Sequence, residues 1–330
     1  MRAILGSALG PWDNYAIAPW QCPAPAACEV QVEVHSAGVT FVDALIASGR
    51  HQVKVALPFI PGTEVSGVVV AVGAGVTRLA VGDRVACVGV GGKYAEQINV
   101  PATAALRIPD RMSFDEGAVF RGGFGCAYYA LNQAASVKAG ESVLVLGAAG
   151  AVGFAAVQLA AAMGARVLAS ASSDEKRALA LRAGAAAAID TNADDWRAQV
   201  RDWTDGRGLD VVVVVDPVGG MATERAFRAL GVGGRHLVIG FASGTIPSLP
   251  VNLALLKNAS LIGVELSKFE QRHPELGAAN DRALIELYER GAITAPPIAH
   301  RFPFERFRDA LTLAATGRSA GSIVLQIKEP

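Results

Sequence analysis

Residues 142–153 read SVLVLGAAGAVG, and this stretch decides the fold. Ser142 to Leu146 is a short run of Val and Leu, the composition of a strand buried on both faces. Gly147, Gly150 and Gly153 punctuate the turn after it, and from Ala151 the chain continues AVGFAAVQLAAAMG, an Ala-rich apolar helix that Gly164 can close. Strand, glycine turn and helix together begin a dinucleotide-binding unit. The glycines let the backbone turn sharply and approach a pyrophosphate. The start of the helix adds unpaired N–H groups and the positive end of its dipole. The spacing is G-x-x-G-x-x-G, with Ala148 where the common G-x-G-x-x-G fingerprint has its first glycine. Glycines also serve plain tight turns, so the surrounding sequence carries the reading.

Downstream, strands and helices alternate: a strand at 166–170, a helix at about 173–183, a short strand near 187–189 and a helix around 194–202. DVVVVVD (210–216) is the most strand-like run in the chain; a helix at about 220–230 and the strand RHLVIG (235–240) follow. Such alternation forces parallel strands joined by right-handed crossovers, with the ligand crevice at their carboxyl ends. Upstream, residues 1–120 read as mostly β. In EVQVEVHSAGV, Val30, Val32 and Val34 alternate with Glu29, Gln31 and Glu33, the period of a half-buried strand. Short β segments at 63–76, 81–88 and 94–100, separated by glycine turns, suggest a compact barrel. Ser113 to Glu116 is a capping-box pattern opening helical sequence, and 123–135 reads as another helix. ASLIGVEL (259–266) reads as a strand, with helices at about 275–290 and 304–316 after it. The last strand, SIVLQI (322–327), has no partner of the alternating type and is assigned back to the N-terminal β domain. The expected fold is therefore α/β: a doubly wound parallel Rossmann sheet inserted into a mostly β barrel domain.

The chain has 330 residues, of which 52% are hydrophobic and 18% charged, a globular composition that suggests two domains. Its 30 basic and 30 acidic residues balance, with no Lys/Arg run, which argues against nucleic acid or a membrane surface as partner. The N-terminal MRAILGSALG lacks the apolar core of a secretory signal, so a cytoplasmic location is expected. The cysteines at 22, 28, 87 and 126 form no C-x-x-C and fit no zinc cluster.

A β domain, an inserted dinucleotide domain and a returning strand resemble the medium-chain dehydrogenase/reductase superfamily. AGVTFVD (37–43), LPFIPGTEVSGVV (57–69), VGDRV (81–85), GAAGAVG (147–153), DPVGG (216–220), VIGFASG (238–244) and GSIVL (321–325) are similar to that family's motifs, in order. In detail they resemble its zinc-free quinone oxidoreductase branch, which includes zeta-crystallin. The resemblance implies a GroES-like catalytic domain over 1–120 and 266–330 and a Rossmann NADP-binding domain over 121–265. It also implies a homodimer joined through the 259–266 edge. Zinc enzymes of the superfamily have cysteine where this chain has Thr40, histidine where it has Thr63 and a third cysteine near Gly122. Glu64 remains, but one carboxylate cannot hold a catalytic zinc, which takes about three protein ligands. No metal is expected.

The same resemblance implies site residues. Backbone N–H groups at Gly147 and from Ala149 through Gly150, Ala151 and Val152 to Gly153 should cradle the pyrophosphate, and the stretch holding Gly240, Phe241 and Ser243 should meet the nicotinamide carboxamide. Cys126 stands where relatives have threonine near the nicotinamide. For the cofactor the expectation is NADPH. NAD-specific domains carry an Asp or Glu at the end of the second strand; here Ala171 occupies that position, with Ser172, Ser173, Lys176 and Arg177 after it. Ser172 and Lys176 are candidate 2′-phosphate contacts, Thr191 replaces a tyrosine used by some relatives, and Arg318 is a second cation. Ser172 to Glu175 also reads as a capping box. In the substrate segment, Thr40 stands where quinone oxidoreductases often have asparagine, and tyrosines expected near 45 and 51 are Leu45 and His51. Thr40, His51 and Tyr128 are the catalytic candidates, and Phe241 is the aromatic expected to line the cleft. The first functional reading is an NADPH-dependent quinone or enone reductase acting on a small molecule. The alternatives are an enoyl-CoA or acryloyl-CoA reductase, with Arg50, Lys54, Arg121 and Arg272 as scattered basic candidates, and an NADPH-binding protein with weak turnover.

Overall fold

A computed structural model describes residues 1–204 and 211–328, and the chain forms two compact units, Met1–Gly122 with Ala295–Pro330, and Gly123–Thr294. The first is organised on the strand Glu29–Val39. Val30, Val32 and Val34 are at most 1% exposed while Glu29, Gln31 and Glu33 are half-exposed, the alternation the sequence implies. Glu64–Val72 pairs antiparallel along this strand. Along its other edge, Gln97–Pro101 pairs with residues 29–33 and the returning strand Ser322–Gln326 pairs with residues 36–39. Arg84–Val88 and Ala105–Arg107 extend the sheet on one side, and Ile298–Pro303 adds a parallel strand on the other. The helix Phe307–Thr316 drops Phe307, Ala310 and Leu311 into a core with Val32, Val34 and Val65. Each large apolar side chain so buried contributes about 1.5–3 kcal/mol over leaving it exposed.

The second unit is a parallel six-stranded sheet in the order Ala187–Asp190, Arg166–Ala171, Ser142–Leu146, Val211–Asp216, Leu230–Val238, Ser260–Gly263. This is the doubly wound order, and it reverses beside Ser142–Leu146, where the crevice opens at the carboxyl ends. The helix Ala151–Ala162 is buried from Gly153 through Ala160 with little polar face, because the sheet and its neighbours cover it on several sides.

Several elements differ from expectation. Asp210, the first residue of the expected 210–216 strand, lies outside the described residues. The strand expected at 235–240 spans Leu230–Val238. The strand expected over 259–266 ends at Gly263, because the Glu265 carboxylate accepts from Lys268 N at 2.5 Å and starts the helix Leu266–Arg272. The helix expected at 123–135 begins at Arg121 and loosens into a π-helical turn over Tyr129–Ala134. The second unit runs to Thr294 rather than to 265. Gln133 donates to Asn280 on the helix Pro274–Glu289 (2.7 Å), and the Gln158 amide both donates to the Thr294 carbonyl and accepts from its N–H, each at 2.9 Å. These side-chain bonds tie residues 274–294 to the π-helical turn Tyr129–Ala134 and the helix Ala151–Ala162.

Candidate active site

The glycine turn is shaped by absent side chains. Gly147 has φ +58°, a conformation L side chains rarely adopt. A Cβ on Gly153 would lie 2.2 Å from the Gly147 carbonyl oxygen, so only glycine lets the helix pack this closely on the turn. Gly150 is the helix N-cap and offers no capping side chain, which leaves the first N–H groups of Ala151, Val152 and Gly153 without a side-chain cap. Ala149 is buried, Val152 half-buried, and Gly150 and Ala151 are exposed.

At the end of the neighbouring strand, Asp216 is 1% exposed and organises the DPVGG turn. Its Oδ1 accepts from the N–H groups of Val218 (2.9 Å) and Gly219 (2.8 Å); its Oδ2 accepts from Thr223 Oγ1 (2.6 Å) and sits 3.1 Å from His236 Nε2. Burial alone would push this carboxyl up, but the His236, Gly219 and Thr223 bonds outweigh it and hold it below its ordinary value. The turn in turn fixes residues 240–243: Gly240 N donates to the Asp216 carbonyl (3.4 Å) and Ser243 N to the Val218 carbonyl (2.8 Å), while Phe241 packs where a Cβ on Gly219 would be.

At the end of the second strand the capping differs from expectation. The cap of the helix Asp174–Arg182 is Ser173, which accepts from Lys176 N at 3.3 Å, and Ser172 is exposed outside it. The strand runs through Ala171, and this moves the helix start one residue on. Lys176 is half-buried, and burial lowers its pKa against the opposing pull of Glu175. The Thr191 hydroxyl lies 3.0 Å from Ser170 Oγ, which also accepts from Trp196 Nε1 (3.1 Å), so Thr191 is tied inward. Cys126 is half-buried, and burial, then Glu265, push its thiol up to about 12, which leaves it protonated and a weak nucleophile. Tyr128 is half-buried with its phenol pushed up by burial and Glu286; Tyr129 stacks on Phe269 at 4.1 Å.

Thr40, His51 and Arg318 belong to the first unit. Thr40 caps the helix Phe41–Ala47 in a full capping box: its Oγ1 and its N–H both donate to Asp43 Oδ2 at 2.7 Å, and Oγ1 accepts from Asp43 N at 3.3 Å. The His51 Nδ1 accepts from Val53 N (3.1 Å), which assigns its proton to Nε2, and burial lowers its pKa. Arg318 is exposed after the helix Phe307–Thr316.

Beneath Thr40 lies a polar cluster with no obvious trace in the sequence. Asp43, Cys87, Lys93, Tyr94 and Arg121 are all at most 7% exposed, and half-buried Glu64 joins them. Tyr94 donates to the Gly38 carbonyl at 3.1 Å, and the buried Asp43 Oδ1 has no hydrogen-bond partner. Burial, then the Asp43 charge, push the Glu64 carboxyl up to about 8, against the Gly122 N–H and the Arg121 charge. Burial raises Asp43 as well.

Known proteins resemble this chain along its length. A model described as alcohol dehydrogenase GroES-like domain matches residues 26–110, and one described as zinc-binding dehydrogenase matches residues 151–279. A quinone oxidoreductase-like protein 2 homolog from Nematostella vectensis is 37% identical over 91% of this chain and 82% of its own. The chain belongs to the quinone oxidoreductase branch of the medium-chain dehydrogenase/reductase superfamily. Among solved structures, Escherichia coli quinone oxidoreductase complexed with NADPH is 28% identical with TM-score 0.90, covering 99% of this chain and 100% of its own. The CurK enoyl reductase is 27% identical with TM-score 0.89, covering 99% of each chain.

The family model's description raises the question of zinc, and the residues do not fit it. Thr40 is engaged with Asp43, and a Cβ on Gly122 would lie 2.2 Å from Glu64 Oε1, so that carboxylate fills the space a side chain at 122 would need. Among the described residues, no group of three or more His, Cys, Asp or Glu side chains is placed to hold a metal ion.

Proposed function

We propose that this quinone oxidoreductase family member is an NADPH-dependent, metal-free enzyme that transfers hydride to a quinone or an α,β-unsaturated carbonyl. The observation that carries the cofactor is the uncapped helix start at Gly150, beside a turn that a single Cβ on Gly153 would obstruct. On this reading Gly147, Ala149, Gly150, Ala151, Val152 and Gly153 hold the pyrophosphate, and Gly240, Phe241 and Ser243 present backbone to the carboxamide. Ser172, Lys176 and Arg318 serve the 2′-phosphate, Thr191 shapes that pocket from within, and Cys126 borders the nicotinamide. The E. coli relative solved with NADPH supports the same cofactor.

The bound cofactor supplies the hydride; the chain supplies orientation, electrostatics and a proton. Thr40 directs its hydroxyl proton to Asp43, so it orients and accepts better than it donates. His51, with its proton on Nε2, and the neutral Tyr128 phenol are the donors suited to the oxygen that gains charge. The enoyl reductase among the structural relatives favours a second reading, an acyl-thioester enone such as an enoyl-CoA or acryloyl-CoA.

Following NADPH absorbance over a panel of simple quinones, free enones and acyl-CoA enones separates the readings. Fastest turnover with quinones or free enones is expected; preference for acyl-CoA substrates selects the second reading, and tight NADPH binding without turnover selects a binding protein. Activity should survive a chelator; loss of a stoichiometric metal together with activity would overturn the metal-free proposal. We place a homodimer seam along Ser260–Gly263, the edge of the nucleotide sheet, where Leu261 is 52% exposed. A monomer in sedimentation at micromolar concentration, or a dimer indifferent to Ile262→Lys, would remove that seam.

A further inference from the structure

Two carboxylates stand beside the position where a dinucleotide's adenosine ribose is read. Asp190 ends the strand Ala187–Asp190 and pairs in register with Ala171, the last residue of the second strand. Asp174 begins the helix that follows. Unopposed, both would repel a 2′-phosphate approaching Ala171. Arg177 engages both of them. Its Nη2 donates to Asp174 Oδ1 at 2.5 Å, its Nη1 lies 3.3 Å from Asp190 Oδ2, and the same Nη1 donates to the Ala171 carbonyl at 3.1 Å. The Arg177 side chain is 19% exposed while that of Asp174 is 99% exposed, so the guanidinium is set into the strand end and pairs with a carboxylate that stays in solvent. Asp190 is held from its other side, since its Oδ1 accepts from Asn192 N at 2.9 Å.

We propose that Arg177 is a specificity-determining residue, which clamps Asp174 and Asp190 and places its own charge at the Ala171 carbonyl so that the strand end receives a dianionic 2′-phosphate. This rests on the NADPH reading. It differs from the role given to Lys176, which would touch the phosphate; Arg177 acts by controlling its neighbours. The remaining charges on this helix start are Glu175 and Lys176, which oppose each other. Removing Arg177 therefore leaves the two aspartates uncompensated. NADH lacks the phosphate and should be nearly blind to the change.

The test is fluorescence titration of NADPH and NADH against wild type, Arg177→Met, and Arg177→Met combined with Asp174→Asn and Asp190→Asn. Arg177→Met should weaken NADPH by about tenfold, the effect of an uncompensated carboxylate several ångströms from a dianion, and leave NADH within about twofold. The triple variant should recover most of the loss, and added salt should narrow the gap between Arg177→Met and wild type. Equal weakening of both cofactors, or no recovery in the triple variant, would show a purely structural staple and overturn the proposal. If Arg177→Met does not fold, Asp174→Asn alone decides. It removes only an exposed carboxylate and leaves the guanidinium held by Asp190 and the Ala171 carbonyl, so NADPH should bind several-fold tighter with NADH unchanged; no change sinks the idea. A wild type that binds NADH as tightly as NADPH would instead refute the cofactor reading itself.

Discussion

The glycine turn at 147–153 and the polar cluster beneath Thr40 are two ways of building a site inside a folded chain. The turn works by subtraction: three glycines remove side chains, and on the proposed reading the pyrophosphate would be met by backbone N–H groups of a helix start. No ionisable side chain takes part, so its geometry is indifferent to pH but intolerant of any added carbon. The cluster works by addition. Asp43, Glu64, Cys87, Lys93, Tyr94 and Arg121 bring charge and polarity out of water, each within electrostatic reach of another. Such burial is costly unless partners compensate it. Most partners are present here, but Asp43 Oδ1 has none and Glu64 holds its proton toward neutral pH. The cluster should therefore tolerate changes that keep shape and respond to changes in protonation.

The largest expected effect falls on the turn. Gly153→Val places carbon 2.2 Å from the Gly147 carbonyl oxygen, a backbone atom that cannot swing aside. Overpacking of this kind costs about 1–3 kcal/mol in stability, and because the displaced part is the helix start, NADPH binding should be lost in a fluorescence titration. A variant binding NADPH within a fewfold of wild type would show that the helix start is not the pyrophosphate site. Next is Lys176→Ala. Loss of a charge-assisted hydrogen bond of about 1.5–3 kcal/mol should weaken NADPH by roughly 10- to 150-fold and leave NADH nearly unchanged. Equal losses for both cofactors would remove Lys176 from the phosphate pocket.

The same contrast explains what could be read from the residues alone. The nucleotide sheet is announced by local pattern: Val/Leu runs of strand length, glycines at the turn, Ala171 where an acid would stand. The returning strand at 322–326 was legible because no alternating partner followed it. The helix Phe41–Ala47 has a sequence signal of the same kind as the one at Ser113, the T-x-x-D cap formed by Thr40 and Asp43, but no long apolar periodicity to accompany it. Lys93, Tyr94 and Arg121 carry no such mark. They meet Asp43 and Glu64 only because strand pairing and the helix starting at Arg121 bring distant residues together. The capping box read at Ser172–Glu175 falls one position early: the preceding strand runs through Ala171, and Ser173 is the cap. The helix Pro274–Glu289 lies in the compact unit of the nucleotide sheet, which the resemblance does not imply; the Gln133 bond to Asn280 is a long-range side-chain contact that no local pattern marks.

The smallest effect, and the one particular to the cluster, is a pH dependence of stability. The Glu64 carboxyl is raised from 4.5 to about 8 in the folded chain. Between those values the folded state binds more protons than the unfolded state, so this group stabilises the fold fully below about 4.5 and its contribution falls as pH rises towards 8. Asp43, also raised by burial, has the same sign. Glu64→Gln removes the titration but keeps the shape and the acceptor that faces Gly122 N–H. Thermal melts of wild type and Glu64→Gln should therefore nearly coincide at pH 5 and separate by pH 8, with the glutamine variant the more stable. Because Glu64 is half-buried and screened, the separation should be on the order of 1 kcal/mol, not the several that a fully dry site would give. Comparing the two proteins at each pH cancels the groups that do not interact with Glu64; Asp43, whose charge acts on Glu64, titrates with it, so the separation reports the pair. Parallel melting curves across this range would mean that Glu64 is ionised in the folded protein, with Arg121 and the Gly122 N–H outweighing burial. The cluster would then be an ordinary compensated ion pair rather than a store of a proton.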